Sequence, residues 1–407
     1  MNRPSSSSPR CYQSSPENDL CNPPIPAGLR RQGRVAVVLL AAIWLSFSVL
    51  VLVSAEERIG AFLLLIPGLG IVVHISAVLS SRLGDNHRIG EPQPLFPTLG
   101  AGNWITMARA ALVGGLAALV PVTLYHGSWW AYLTGWLAGG VYLSVCLADL
   151  LDGFVARKQG RVTELGAALD IATDGAGLLA ASLIAFFLGR VPAICILVGM
   201  AYYLFVVGKW WRQYRGLPVA ELRYRPYGRI IAGFQMGLFS MVLFPVFDTT
   251  YTRLAAVIFL IPFLAGFSRD WLVVSCRVAT DDNQRCRLDD LFNDSVSRSL
   301  SLGARLVLGG SAYFLVSAGS AAGIGVGWIV ACGALAGLAV AGLIGRVAAL
   351  LLLVVLGLSA SPFGGTAAAT LCFSSATVLL LAGSGPFSLW RPEEDILYRR
   401  KSEAPGT

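Results

Sequence analysis

Charge is scarce in this chain of 407 residues: Asp, Glu, Lys and Arg together make up 13%, against 55% hydrophobic residues and a mean hydropathy of +0.67. Soluble domains carry about 25% charged residues, so this balance excludes an ordinary soluble globular protein. Histidine is scarcer still, with three scattered copies, and the eight cysteines (positions 11, 21, 146, 195, 276, 286, 332 and 372) form no CxxC pair. His/Cys zinc chemistry therefore has no support, and the cysteines inside apolar runs read as small, soft packing residues. The amino terminus lacks the early, short apolar core of a cleaved signal; the first apolar run comes late and is long enough to span, so it is expected to remain as an anchor. A nucleic-acid module is also absent. The formal net charge of +8 comes from basic residues in short loops between apolar runs, the distribution expected from membrane topology and contact with anionic membrane lipids.

What is present is a succession of apolar runs, near residues 35–54, 59–79, 105–124, 129–151, 167–188, 193–207, 254–274, 302–318, 323–343, 348–358 and 366–381. The expectation is an all-α polytopic membrane protein of about twelve spans. Residues 1–33 are rich in Ser, Pro and Asn and are expected to be a disordered cytoplasmic tail. Residues 34–82 read as an N-terminal transmembrane hairpin, preceded by Arg30, Arg31 and Arg34, which place the amino terminus in the cytoplasm. His74 is its one polar exception and reads as packed or interfacial. Residues 278–300 form a charged cytoplasmic linker, whose acid pairs Asp281-Asp282 and Asp289-Asp290 are expected to be solvated. Residues 301–390 make a C-terminal four-helix membrane module rich in Gly and Ala, followed by a cytoplasmic tail at 391–407. That module shows no candidate catalytic acid, so scaffolding or partner binding is its expected role.

Within this apolar background one stretch, 147–175, carries Asp149-x2-Asp152-Gly153-x2-Ala156-Arg157-x8-Gly166-x3-Asp170-x3-Asp174. An ionisable group in a bilayer is costly, so such a cluster is a functional site by default. Asp149 and Asp152 lie three apart, and Asp170 and Asp174 four apart, so each pair shares a face of a helix. Gly153 is expected to end the first helix, and 157–161 to turn the chain, so that antiparallel helices bring the pairs together. Four carboxylates that close call for a cation, and an all-oxygen donor set favours Mg2+ or Mn2+ over zinc.

This pattern resembles the signature of the CDP-alcohol phosphatidyltransferase family at all eight fixed positions. The resemblance covers about residues 95–277 and implies a six-helix core in which two metal ions bridge the diphosphate of a CDP-alcohol, while an acceptor hydroxyl displaces CMP. It implies Asp149, Asp152, Asp170 and Asp174 as metal ligands, with Asp174 also the general base. Asn103, Thr106 and Arg109 reproduce an Asn-x2-Thr-x2-Arg motif of the family, which implies that Asn103 and Thr106 help hold the CDP moiety. Read physically, Asn103 could equally be an N-cap and Arg109 a positive-inside anchor. Gly153, Ala156 and Gly166 leave room for a nucleotide or for close helix packing. Arg157 can fork onto phosphate oxygens, and Thr163 matches a nucleotide contact of the family. Lys158 and Arg161 read as topology charges.

For the acceptor, Gly228-Arg229 with Gln235-Met236 resembles the region before the fifth core helix in phosphatidylglycerophosphate synthases. Arg229 is therefore a candidate acceptor-phosphate ligand, Arg269 in the stretch 267–271 near the end of the sixth core helix is a second, and glycerol 3-phosphate is the favoured acceptor, with CDP-diacylglycerol the favoured donor. The end of the C-terminal module, 383–393, resembles that of DoxX-type four-helix proteins. The expected protein is thus a multi-pass phospholipid-synthesising transferase with its active site facing the cytoplasm, with a homodimer as a candidate assembly. An intramembrane prenyltransferase and a non-catalytic membrane assembly or transport protein are the alternatives. Prenyltransferase acid motifs sit far apart in sequence, unlike the 26 residues from Asp149 to Asp174.

Overall fold

Apolar residues in long uninterrupted runs satisfy their backbone most economically as helices, and the computed structural model of the chain is built of little else. It describes residues 24–54, 58–91, 94–125, 128–220, 226–277, 297–385, 387–390 and 392. Among these there are twelve α-helices and no strand. They are α1 (Ala27–Ser54), α2 (Arg58–Ser81), α3 (Gly100–Tyr125), α4 (Ser128–Lys158), α5 (Glu164–Phe187) and α6 (Ile196–Tyr214). There follow α7 (Pro226–Leu243), α8 (Thr249–Val274), α9 (Ser297–Ala321), α10 (Val326–Ala341), α11 (Gly345–Gly357) and α12 (Ala367–Ala382). The all-α expectation is met. Six of them, α3, α4, α5, α6, α8 and α9, contain segments long and apolar enough to cross a membrane.

The remaining elements depart from simple spans. α10, α11 and α12 have 16, 13 and 16 residues, fewer than the roughly 20 that a bilayer core requires. α10 stops where Gly342 turns left-handed at φ 67°. At the amino terminus α1 begins at Ala27, inside the stretch expected to be a tail, and Leu29 is fully buried. Residues 1–23, the acid pairs at 281–282 and 289–290, and nearly all of 391–407 lie outside the described residues.

The chain divides into two contact units, each taken by itself. The first holds 13–211 and 234–245. In it α3 is the central element, packed on α1, α2, α4 and α5. One apolar core joins Leu29 and Leu40 of α1, Ile75 and Leu79 of α2, Met107 and Ala110 of α3, and Leu165, Leu169 and Ala172 of α5. The N-terminal hairpin is thus packed into the same core as the acid-bearing helices. His74 lies half-buried with its ring 6.1 Å from that of Tyr202 and 5.8 Å from that of Tyr203, a packed histidine.

The connection at 82–99 is also built in. Asn86 is buried and its Nδ2 donates to the carbonyls of Phe96 (3.2 Å) and Thr98 (3.0 Å). The segment then binds the α4–α5 turn: Arg88 Nε donates to Gly160 O at 3.2 Å, and Glu164 N to His87 O at 3.2 Å. Arg161 donates from Nη2 to both the carbonyl and the hydroxyl of Thr98 at 3.0 Å, with its guanidinium 4.6 Å from the centre of the Phe96 ring. Arg161, expected to serve as a topology charge, is a tie between two segments of chain, because its donors find a carbonyl and a hydroxyl before they reach solvent.

The second unit contains 212–233 and 246–407. Here α9 packs on α10 and α12, α11 on α10 and α12, and α12 on α8. The rings of Tyr251 and Phe373 stand 4.7 Å apart, and Asp248 caps α8 by accepting from Thr250 N at 2.8 Å. The segment after α12 is stitched over the helix ends. Arg305 and Arg346, both buried, donate to backbone carbonyls of Ser384 and of Leu380, and Ile344 N donates to Trp390 O at 3.0 Å. Neither arginine stood out in the sequence.

Candidate metal centre and its surroundings

Four acids reach one point because three consecutive helices of the first unit present one face each. α4 contributes Asp149 and Asp152, α5 contributes Asp170 and Asp174, and α3 lies against both with Asn103, Thr106 and Arg109 on its facing side. The helices approach closely because small residues line the contacts. A Cβ on Gly102 would stand 3.1 Å from Ala156 Cβ and 3.3 Å from Asp152 O. One on Gly166 would stand 2.7 Å from Asn103 Oδ1 and 3.0 Å from Thr163 Oγ1. Gly166 and Ala156 thus fit the packing half of their expected role, and Gly102 joins them. Gly153 does not end α4, which continues to Lys158. Helix-favouring neighbours carry the hydrogen-bond ladder past it, and Arg157 and Lys158 complement the negative end of the helix. The space over Gly153 is taken by the Arg157 guanidinium, whose Nη1 would lie 3.1 Å from a Cβ there.

The centre of the cluster is Arg109, which is 0% exposed. Its Nη1 lies 3.0 Å from Asp149 Oδ1, 2.5 Å from Asp152 Oδ2 and 2.8 Å from Asp170 Oδ1, and its Nη2 pairs with Asp174. Asp152 is the deepest acid, its side chain 7% exposed, and it also accepts a hydrogen bond from Thr106 Oγ1 at 2.9 Å. Asp149, Asp170 and Asp174 are 24%, 33% and 32% exposed and form the open side. Oxygens of these three lie within 4.8 Å of one another. An all-carboxylate set with partly accessible oxygens fits a hard divalent ion such as Mg2+ or Mn2+.

Around this centre, Asn103 Nδ2 donates to Leu99 O at 2.7 Å from within α3. Its N-cap alternative falls, since the helix begins three residues earlier at Gly100. The anchor alternative for Arg109 falls as well: the guanidinium is fully buried, with four carboxylates to satisfy it. Thr163 is buried and its Oγ1 caps α5 by accepting from Gly166 N at 3.0 Å. Asn103, Thr106, Gly153, Ala156, Arg157, Thr163 and Gly166 lie in the same unit as the four acids, with Thr106 bonded to Asp152 directly. Arg229, on α7, and Arg269, on α8, belong to the second unit. Sequence reasoning passed over the central role of Arg109. The available signal was a lone cation in an apolar helix, which demands a buried counter-charge.

Six helices long and apolar enough to cross a membrane, with a partly open carboxylate centre among them, mark an integral, multi-pass membrane protein with a metal-ready polar site. The comparisons with known proteins sharpen that class: residues 100–280 match the model of the CDP-alcohol phosphatidyltransferase family. CDP-diacylglycerol–inositol 3-phosphatidyltransferase of Saccharomyces cerevisiae is 31% identical over 88 residues, covering 22% of this chain and 39% of that protein. CDP-diacylglycerol–glycerol-3-phosphate 3-phosphatidyltransferase 2 of Arabidopsis thaliana is 31% identical over 124 residues, 30% of this chain and 50% of that protein. The chain thus spans half or less of the length of these relatives. No solved structure matches it.

Proposed function

We propose that the chain is a transferase of substituted phosphate groups, which moves a phospho-alcohol from a CDP-alcohol to an acceptor hydroxyl with release of CMP. The observation that carries this reading is the convergence of Asp149, Asp170 and Asp174 to within 4.8 Å inside the segment that matches the family. The same match favours this reading over a prenyltransferase or a transport protein.

Asp149, Asp170 and Asp174 would hold divalent metal, with Asp152 completing the acidic wall. When bound, the metal supplies charge neutralisation on the diphosphate and on the departing CMP. The protein's own groups do the rest. Asp174, on the open side of the cluster, takes the proton of the acceptor hydroxyl. The freed oxygen forms a bond to the phosphorus that carries the donor alcohol, and the bond from that phosphorus to the CMP oxygen breaks. Arg157, folded over Gly153, and Asn103 with Thr106, on the facing side of α3, are the proposed holders of the CDP moiety. CDP-diacylglycerol is the proposed donor and glycerol 3-phosphate the first acceptor to try, with Arg229 and Arg269 as its proposed phosphate ligands. The site is proposed to open to the cytoplasm, where both termini are also assigned.

The deciding measurement is CMP release by purified protein given CDP-diacylglycerol and Mg2+, with glycerol 3-phosphate, inositol phosphate, serine or an uncharged alcohol as acceptor. Release with a phosphorylated acceptor is the expected result. No CMP from any acceptor would sink the enzyme reading, and turnover with the uncharged alcohol alone would remove the roles of Arg229 and Arg269.

A further inference from the structure

The centre already contains a cation. Arg109 is fully buried on α3, its guanidinium spans all four carboxylates, and Asp152 with Thr106 fastens one end of that contact. Three of the four carboxylates it holds, Asp149, Asp170 and Asp174, are the ones whose oxygens stand close enough for one metal ion. The fourth, Asp152, falls outside that group and is the least exposed. Two kinds of partner thus divide the cluster: Asp152 faces inward to arginine and threonine, and the other three face outward as well as to the arginine.

We propose that Arg109 is a resident counter-cation that holds the acid cluster assembled before metal arrives and competes with the metal for Asp149, Asp170 and Asp174. This rests on the metal reading above and deepens it. Four carboxylates brought together among apolar helices without compensation would repel one another and drive α4 and α5 apart. A single arginine relieves that repulsion in part and leaves the cluster net negative, so a divalent ion is still attracted. Arg109 is in this sense a positioning residue: it keeps the ligands at their spacing and sets how tightly metal is held, and Asp152 and Thr106 keep it in place. Its fork suits the task, because Nη1 faces acids of both α4 and α5 while Nη2 reaches Asp174 at the same time.

The test uses full-length protein in detergent, with thermal unfolding in EDTA and in Mg2+, and Mn2+ binding followed by electron paramagnetic resonance. Wild type is expected to bind Mn2+. Arg109→Gln is expected to unfold at a lower temperature in EDTA, to gain more from Mg2+ than wild type, and to bind Mn2+ more tightly by about tenfold, because a competing charge is gone. A merely structural arginine would not tighten the metal. Arg109→Lys keeps the charge and is expected to lie between the two. Should Arg109→Gln not fold, the double variant Arg109→Gln with Asp152→Asn, which removes the inward acid together with the cation, is expected to fold and to show the tighter binding. Unchanged or weaker Mn2+ binding in whichever of these variants folds, with wild type binding normally, overturns the role of Arg109 alone. So does a double variant that folds no better than the single one. A wild type that binds no Mn2+ overturns the metal reading and this inference with it.

Discussion

Asp174 is the residue on which proton transfer is placed, and its substitution separates chemistry from binding. Asp174→Asn is expected to lower CMP formation by roughly 100-fold or more while leaving CDP-diacylglycerol binding largely in place, since a positioned base contributes about that factor. Rates and lipid binding measured on the same preparation check it, and wild-type turnover would remove Asp174 from the base role. Asp149→Asn is expected to weaken the dependence on Mg2+, read as a rightward shift of the activation curve. Gly166 carries a steric prediction. A methyl there would press on Asn103 Oδ1 at 2.7 Å and on the Thr163 hydroxyl at 3.0 Å; the Asn103 side chain is held by its Nδ2 bond to Leu99 O, and Thr163 Oγ1 accepts from Gly166 N. Gly166→Ala should therefore cost about 1–3 kcal/mol of stability through overpacking, seen as a lower unfolding temperature.

At the scale of elements, the segment 82–99 matters more than its position between helices implies. Arg161 gives it two hydrogen bonds and a ring contact, so Arg161→Ala is expected to lose about 1–3 kcal/mol and to loosen the α4–α5 turn that holds Gly166 and Asp170 in register. Faster hydrogen exchange at 159–166 would check this, and unaltered exchange would count against it. This segment also marks where the sequence stops being legible. The helices could be read because an apolar run of spanning length has few other options in lipid, and the acid pairs because spacings of three and four fix a shared helix face. The strap could not be read, since Asn86, Arg88 and Arg161 find partners through tertiary approach and no local period announces them. Arg109 fell between: its position in a motif was visible, but its four carboxylate partners depend on how α3, α4 and α5 pack. Gly153 misled because glycine weakens a helix without having to end it.

For the molecule as a whole, the family match begins at residue 100, but the core of the first unit does not. Leu29, Leu40, Ile75 and Leu79 share one core with Met107, Leu165 and Leu169. A chain lacking residues 1–82 is expected to expose that face of α3 and α5 and to lose monodispersity in detergent, measured by size-exclusion chromatography. A stable, metal-binding truncation would show the hairpin to be dispensable. In the second unit, α8 packs on α12 through Tyr251 and Phe373, so deletion after residue 300 should destabilise α8 in the same way. The order of the site along the chain has a consequence for biogenesis. The four acids of the site, the arginine among them and the strap beside them lie between residues 82 and 174, and the unit that contains them ends at residue 245. A nascent polypeptide can therefore close its polar heart while the terminal helices are still being translated, with its charges sheltered from lipid from early in insertion.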